Sequence, residues 1–516
     1  MGALLALLFV LLQTSMVLAS DATTPAWGEP LRELRIDADD SISDDAQSAA
    51  TPLIGQPLGE ADAEALRIEL TRRLVERGYV NSGYVLHEPA FRDGVLHLRR
   101  VAGRVVRTQM RGNERLRPSY VEDRLIRSGE AFNTRVLGER FRLLLNDPLF
   151  KRINASIIPG TAPGEAVLDL AIERDRVWSF ALEANNYRPQ SIGEYAALAR
   201  MGVRNLTGRG DALSLGLSTP VSDGQGGRVQ VGWQLPLGAH GLQLALNYDE
   251  GNVTVIEQSV ASLDIKSRIR SLEAGLSYPL LDDGARRLAV SASVLTRHNR
   301  TQILGEDFAF QPGEPDGGSR VNDIRLQGEY AQRSDRGLLL LRGALTVGRN
   351  NIREVPFPEA ALADDRYQVL LLQGQYGHQL SERGVRAVAR GNLQATPDRL
   401  VPLERIAVGG STTVRGFLEN TLVRDQAAIV NLELEVPILT GDGPKFTLIP
   451  FVDHASAGNR GEADVTLTSA GLASRTTWRG ARFDLAWGHT LDEPADYRDG
   501  RGLQGNGVHF SLGYAF

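Results

Sequence analysis

The stretch Val430-Asn431-Leu432-Glu433-Leu434-Glu435-Val436 puts four apolar side chains on one face of an extended chain and Asn431, Glu433 and Glu435 on the other. Side chains alternate across a strand with a period of two, so one face can meet an apolar medium while the other stays wet. The same alternation recurs in Leu213-Ser214-Leu215-Gly216-Leu217, in Val229-Gln230-Val231-Gly232-Trp233-Gln234-Leu235, and over residues 242–248, 272–278 and 288–294. A soluble sandwich alternates as well, so the pattern alone leaves both architectures open. The count and the connections separate them. Sixteen such segments follow residue 176: 177–187, 195–206, 211–219, 228–237, 242–248, 270–278, 287–295, 324–330, 338–347, 369–376, 385–393, 428–436, 446–453, 467–473, 481–488 and 508–516. An even number suits a bacterial outer-membrane barrel. The connections after the second and fourth segments are short (207–210 and 238–241), whereas those after the fifth, seventh, ninth and eleventh are long, the last running over 394–427. Short turns at one end and long loops at the other are expected of such a barrel, and a sandwich has no reason to sort its loops.

The polar faces carry Gln230, Gln234, Arg325, Glu329, Gln373, Gln375, Arg386, Arg390, Glu433 and Glu435. An arginine facing lipid at the midplane costs about 2–4 kcal/mol, so these residues are expected to line a lumen. With about sixteen strands that lumen is wide enough for an aqueous channel unless something plugs it.

Composition narrows the remaining possibilities. The 516 residues are 42% hydrophobic and 23% charged, too balanced for a disordered chain or a helical membrane protein. Past the N-terminus there is no apolar run of about 18 residues, which excludes ordinary spanning helices. The absence of cysteine excludes a disulfide framework, cysteine-ligated zinc and thiol catalysis. A formal charge of −6 gives no reason to expect nucleic acid. Residues 4–12 are almost entirely apolar and lead to Val17-Leu18-Ala19, which predicts a signal peptide over 1–19. Its leading region carries no Lys or Arg, so a single N-terminal anchor stays as the alternative; either device exports the chain.

Between the export segment and the alternating region, helix and strand signals are mixed. Leu66, Leu70 and Leu74 make an apolar stripe on a helix expected over 61–77 and ended by Gly78. Strands follow at 80–86 and 95–101, joined by Arg92-Asp93-Gly94. A second unit repeats the order, with a strand over 104–110, helices over 117–127 and 134–145, Asn133 as N-cap, and a strand pair at 153–158 and 166–172. Two strand–helix–helix–strand–strand modules are therefore expected. Each sheet has edges, and an edge can accept a further strand from another chain.

Several stretches resemble the two-partner secretion transporters, the haemolysin and filamentous-haemagglutinin secretion proteins, in which POTRA domains precede an outer-membrane barrel. Arg77-Gly78-Tyr79-Val80-Asn81-Ser82, Gly94-Val95-Leu96-His97-Leu98 and Gly103-Arg104-Val105 resemble parts of the first POTRA domain. Pro159-Gly160-Thr161-Ala162-Pro163-Gly164 resembles the hairpin of the second, and Asn205-Leu206-Thr207-Gly208-Arg209-Gly210-Asp211 an early barrel turn. The most specific piece, Gly409-Gly410-Ser411-Thr412-Thr413-Val414-Arg415-Gly416-Phe417, resembles the superfamily's VRGF loop. The resemblance implies an all-β transmembrane barrel of about 16 antiparallel strands over 177–516, preceded by two α+β POTRA domains at 30–102 and 103–175, with an inward-folding loop at 394–427.

The loop also has a reading from its own chemistry. Its glycines permit tight turns, and the guanidinium of Arg415 offers a rigid fork suited to a carboxylate. Asp453 alternates with Leu448, Pro450 and Val452 and so points toward the lumen. The resemblance implies that Arg415 pairs with Asp453, with Phe451 and Phe417 nearby, so that Val414, Arg415, Gly416 and Phe417 form a loop lock above lumen-lining Glu433 and Glu435. The last strand places Val508, Phe510, Leu512, Tyr514 and Phe516 on one face, and Phe510, Tyr514 and Phe516 resemble the signal read by the barrel-assembly machinery. Two departures stand out. Ala455 occupies the position where the family usually has glycine, and only about ten residues separate the expected cleavage site from the first module, which leaves little room for a plug helix.

Other motifs read plainly. Arg209-Gly210-Asp211 is expected to be a turn rather than an adhesion signal. The eight histidines have no metal-ligand spacing, and neither a GxSxG elbow nor a P-loop is present. The expectation is a non-enzymatic outer-membrane transporter without cofactor or metal. It meets a large, β-rich secreted exoprotein through periplasmic POTRA domains, sits in outer-membrane lipid, and passes the exoprotein through its barrel. The alternative is an assembly factor of the same superfamily, disfavoured because such factors usually carry three or more POTRA modules; a passive porin would lack these modules altogether.

Overall fold

A computed structural model describes residues 27–38, 42, 46–221, 224–353, 362–495, 497 and 500–516. The expected signal peptide and the short segment after it lie outside the described residues. The chain divides into two compact units. The first takes in the chain up to Gly112 with Glu122–Leu144 and Ile153–Ile172; the second comprises Asn113–Val121, Leu145–Arg152 and Glu173–Phe516.

The apolar stripe near the N-terminus builds the first module. It consists of β1 (Glu33–Asp37), α1 (Ala46–Ala50), α2 (Glu60–Glu76), β2 (Gly83–Arg92) and β3 (Val95–Val101). Leu66, Leu70 and Leu74 of α2 are buried in one cluster with Tyr84, Phe91, Leu96 and Leu98 of the sheet. Gly78 has φ +99° and ends the helix, its N–H donating to the Val75 carbonyl at 2.9 Å. β3 is central, parallel to β1 and antiparallel to β2. Asp93 (φ +53°) and Gly94 (φ +75°) give the β2–β3 turn the two positive φ values that match strand twist. β2 starts three residues later than the expected 80, because the chain first makes a turn in which the Ser82 N–H donates to the Tyr79 carbonyl at 3.1 Å. On the exposed side of α2, Glu69 receives hydrogen bonds from Arg72 (2.8 Å) and Arg73 (3.0 Å), which hold its carboxyl down at about 2.

The second module repeats the order with β4 (Arg104–Arg111), α3 (Pro118–Leu125), α4 (Thr134–Leu145), β5 (Phe150–Pro159) and β6 (Glu165–Arg174). β6 is central, so β4 and β5 are the edges of this sheet, as β1 and β2 are of the other. Asn133 caps α4 by accepting from the Arg135 N–H at 2.9 Å, while its own amide donates to the Arg77 carbonyl at 3.1 Å. The Thr134 N–H donates to the Gly78 carbonyl at 2.9 Å, and the Asn81 amide to Gly164 at 2.8 Å. The end of α2 is thereby fixed to the start of α4.

The alternating region closes into a barrel of sixteen antiparallel strands. In order these are β7 (Trp178–Asn185), β8 (Ala196–Arg204), β9 (Ala212–Pro220), β10 (Gly226–Leu237), β11 (Leu242–Thr254), β12 (Lys266–Asp282) and β13 (Arg286–Ile303). A two-residue strand, β14 (Glu306–Asp307), folds back on β13 before β15 (Gly318–Arg333), β16 (Gly337–Asn350), β17 (Arg366–Gln379) and β18 (Arg386–Ala395). Within the next connection, β19 (Ile406–Val408) and β20 (Leu422–Arg424) pair with each other. β21 (Gln426–Leu439), β22 (Lys445–Gly458), β23 (Val465–Trp478), β24 (Ala481–Asp492), the one-turn α5 (Gly502–Gly505) and β25 (Val508–Ala515) complete the chain. β25 closes on β7 through five pairs, Ser511↔Asn185 to Ala515↔Ala181.

β12 and β13 extend well beyond the expected 270–278 and 287–295. Their extra residues, such as Arg268 and Arg300, lie past the apolar belt, where water on both faces removes the alternation that marks a strand in sequence. Exposed Trp178, Phe180, Tyr278, Tyr376, Trp478 and Phe516 cluster near the short-turn ends of their strands, as an interfacial girdle requires. The Arg209-Gly210-Asp211 turn is structural: Asp211 is buried and accepts from the Thr207 N–H (2.9 Å) and the Trp233 indole (3.0 Å).

Candidate functional site

The long connection between β18 and β21 folds around a small core of its own. Val408, Val414, Phe417 and Leu422 of this connection are buried with Ala427 and Ile429 of β21, Ala455 and Ala457 of β22, and Leu467 of β23. Gly409 (φ +103°), Gly410 (φ +100°) and Gly416 (φ +94°) all take conformations that L side chains avoid. The connection therefore lies against the barrel wall, and Ala455, the departure from the family's glycine, is fully buried beneath it.

Arg415 is the centre of the arrangement. Its Nε donates to Asp453 Oδ2 at 2.8 Å and one terminal nitrogen to Oδ1 at 2.7 Å, a two-pronged pair. Its backbone N–H donates to the same Oδ2 at 3.0 Å. The other terminal nitrogen is 2.7 Å from Glu433 Oε1, and the guanidinium carbon lies 3.6 Å from the centre of the Phe451 ring. The Asn431 amide donates to Asp453 Oδ1 at 2.8 Å and to the Thr413 carbonyl at 2.5 Å. Asp453 is 0% exposed and Arg415 8%, so these charges satisfy one another rather than water.

Phe451 supports the arginine, whereas Phe417 does not. The backbone turns at Gly416, and Phe417 points into the loop core, 5.3 Å from the Tyr497 ring centre.

Glu433 and Glu435 each sit in a chain of ion pairs. Arg390 makes two hydrogen bonds to Glu433, both at 2.8 Å. Glu435 is bound by Arg386 (2.5 Å) and Arg475 (3.2 Å), and Arg475 reaches Asp484 at 2.8 Å. Open space of about 590 Å³ beside the loop is lined by Arg390, Arg415, Glu433, Arg475 and Asp484. Such a wall can hold a polar chain by exchangeable charged contacts, and no metal-binding cluster occurs among the described residues. At the chain end, Leu512, Tyr514 and Phe516 are exposed, Phe510 lies 6.3 Å from Tyr195, and Phe516 lies 5.5 Å from Phe180.

Sequence reasoning did not single out Asn431 as a partner of Asp453, nor the glycines behind the loop. A Cβ on Gly488 of β24 would lie 2.8 Å from the Arg415 carbonyl carbon, and one on Gly471 of β23 would lie 2.6 Å from the Phe451 ring. Glycine inside a strand signals close backbone approach, but among 54 glycines the sequence gives no means of choosing.

A family profile described as haemolysin secretion/activation protein ShlB/FhaC/HecB matches residues 164–476. The chain belongs to this family. A ShlB-type POTRA profile matches residues 30–103. The outer membrane transporter CdiB of Dickeya dadantii (strain 3937) is 21% identical over 484 residues, covering 89% of this chain and 82% of the relative. Among solved structures, CdiB from Escherichia coli superposes with a TM-score of 0.68 at 17% identity, covering 97% of this chain and 93% of that one. BamA from Haemophilus ducreyi lacking POTRA domains 1–3 gives 0.58 at 14% identity, over 95% of this chain and 100% of that one. The family and the closed barrel place the chain in the bacterial outer membrane as a transporter with its POTRA domains in the periplasm.

Proposed function

We propose that this transporter secretes one exoprotein through its barrel, with the Arg415 loop as the gate. The observation that carries the reading is the buried Arg415–Asp453–Glu433 cluster, which joins the 396–425 connection to two neighbouring barrel strands. An unfolded, β-rich exoprotein adds strands to the free edges of the two periplasmic sheets. It then displaces the loop, passes the ion-paired lumen wall and folds outside. A loop fixed by two carboxylates on neighbouring strands has one well-defined closed position, and loss of those contacts frees it as a unit. The aromatic C-terminal strand serves recognition by the assembly machinery during insertion into lipid.

The experiment compares culture supernatant and outer-membrane proteomes with and without the gene, and with an Arg415→Ala complement. The expected result is that one large protein disappears from the supernatant, returns with the wild-type gene and is reduced with R415A, while resident barrels are unchanged. A joint fall of many resident barrels would instead establish the assembly-factor role and overturn the secretion reading.

A further inference from the structure

The long-loop end of the barrel carries an outward-facing band of cations that the secretion mechanism does not use. On the outer face, the cations Arg270 of β12 and Arg320 of β15 flank His298 of β13, the cross-strand partner of both. One step toward the loops, Arg268 faces Arg300. One step toward the membrane centre, a row runs Leu272–Thr296–Asn322–Arg349–Arg366 across five neighbouring strands, β12, β13, β15, β16 and β17. Below it the row Ala274–Val294–Ile324–Val347 is apolar, with Val294, Ile324 and Val347 all exposed. The cations thus begin where the apolar belt ends.

Two of these pairings, Arg268↔Arg300 and Arg349↔Arg366, set like charges directly opposite each other, which destabilises a sheet. The first is neutralised within the chain: Arg300 pairs with Asp307, and Arg268 and Arg270 approach Glu250 at 3.9 and 3.0 Å. Among the described residues, Arg320, Arg349 and Arg366 have no carboxylate partner. Directly beneath Arg349 and Arg366 is a groove of about 620 Å³ lined by Leu272, Ala274, Val294, Ile324 and Val347. That volume is in the range of sites for small-molecule ligands. Small or short side chains at Ala274, Thr296 and Asn322 leave the hollow between larger apolar neighbours.

We infer that this face binds a phosphorylated, multiply acylated lipid of the outer leaflet, with phosphate on Arg320, Arg349 and Arg366 and an acyl chain in the groove below. Three considerations select this occupant. The guanidinium fork matches phosphate oxygens in pairs. The cations stand at the boundary of the apolar belt, where a headgroup phosphate is held at a fixed depth. The long-loop end faces away from the periplasm, so the headgroup belongs to the outer leaflet. A free phosphate would satisfy the arginines but leave the groove exposed, and an uncharged lipid would do the reverse. The site rests on the membrane location of the barrel and not on the identity of any secreted partner.

The test is native mass spectrometry of the full-length protein in detergent with doubly phosphorylated lipid A as the probe. Comparison proteins are the triple variant R320Q/R349Q/R366Q, Thr296→Trp, and a charge-matched control R333Q/R336Q/R383Q at the short-turn end. Wild type and control are expected to carry one lipid adduct that survives excess inorganic phosphate. The triple variant should lose at least about tenfold in occupancy, since several charge-assisted hydrogen bonds go together. Thr296→Trp, which leaves every charge in place, should weaken binding of the lipid by obstructing the groove. Equal binding by the triple variant with unchanged heat-modifiable mobility overturns the proposal, as does displacement by inorganic phosphate or equal binding of dephosphorylated lipid. Should the triple variant not fold, unimpaired binding by Thr296→Trp is decisive against it.

Discussion

Arg415 engages all three of its side-chain nitrogens. Two nitrogens take Asp453, a third takes Glu433, and the flat face rests on Phe451. Replacing it by alanine leaves the buried Asp453 without its cation, while Glu433 keeps Arg390, a loss of about 3–5 kcal/mol for a broken buried pair. In planar bilayers, Arg415→Ala and Asp453→Ala are therefore expected to raise the time spent in conducting states relative to wild type. Arg415→Lys should be intermediate, because an ammonium cannot grip one carboxylate with two parallel bonds while reaching a second. The exchange R415D/D453R should not restore closure, since an aspartate at 415 would face Glu433. Indistinguishable conductance among these variants would remove the lock. The pair itself was legible from the loop motif and strand parity. The contributions of Glu433 and Asn431 depend on which lumen-facing residues the barrel register sets beside Asp453, and a single strand's pattern does not carry that information.

At the level of elements, β23 and β24 work by what they omit. Gly488 lets the backbone of Arg415 come so close that a methyl group would lie 2.8 Å from its carbonyl carbon and oxygen. Backbone atoms of a pinned loop yield far less than a side-chain tip. Gly488→Ala should thus push the loop off the wall without touching any charge, and protease cleavage within 396–425 should become faster; unchanged cleavage would mean that the wall does not seat the loop. The helices obey a more local rule. The pairing of Glu69 with Arg72 and Arg73 joins residues three and four apart on α2. Arg72 and Arg73 depress the Glu69 carboxyl from 4.5 to about 2, so its stabilising effect is complete above about pH 4.5 and lost as pH falls through about 2. The difference in melting temperature between wild type and Glu69→Gln in a 27–175 fragment should shrink over that interval. A difference that stays constant would show that the charge of Glu69 contributes nothing. Helix ends and hairpin turns were legible for the same reason, being set by neighbours in sequence. The outward ends of β12 and β13 were not, because no apolar medium imprints a period there.

For the whole molecule, the sorting of short turns and long loops revealed a closed barrel, but closure itself is a contact between the two ends of the region. It rests on five residue pairs between β25 and β7, against twelve between β10 and β11. Phe516 extends this seam beyond the last pair: its N–H donates to the Phe180 carbonyl at 2.9 Å, and the two rings lie 5.5 Å apart. At the other end, Asn186 donates to the Val508 carbonyl at 2.9 Å and accepts from the Phe510 N–H at 2.8 Å. The two ends of so short a seam are expected to fail differently. Deleting Phe516 removes the exposed aromatic end of the last strand, so it should lower the yield and rate at which the folded, heat-modifiable form appears in the outer membrane. Asn186→Ala keeps that end intact and should instead lower the melting temperature of the barrel once folded, through loss of two partly buried hydrogen bonds worth about 1 kcal/mol each. Pulse-labelled assembly and thermal melting separate the two effects. If deletion of Phe516 leaves the assembly rate untouched and lowers only the melting temperature, the terminal phenylalanine is a seam contact and not an assembly signal.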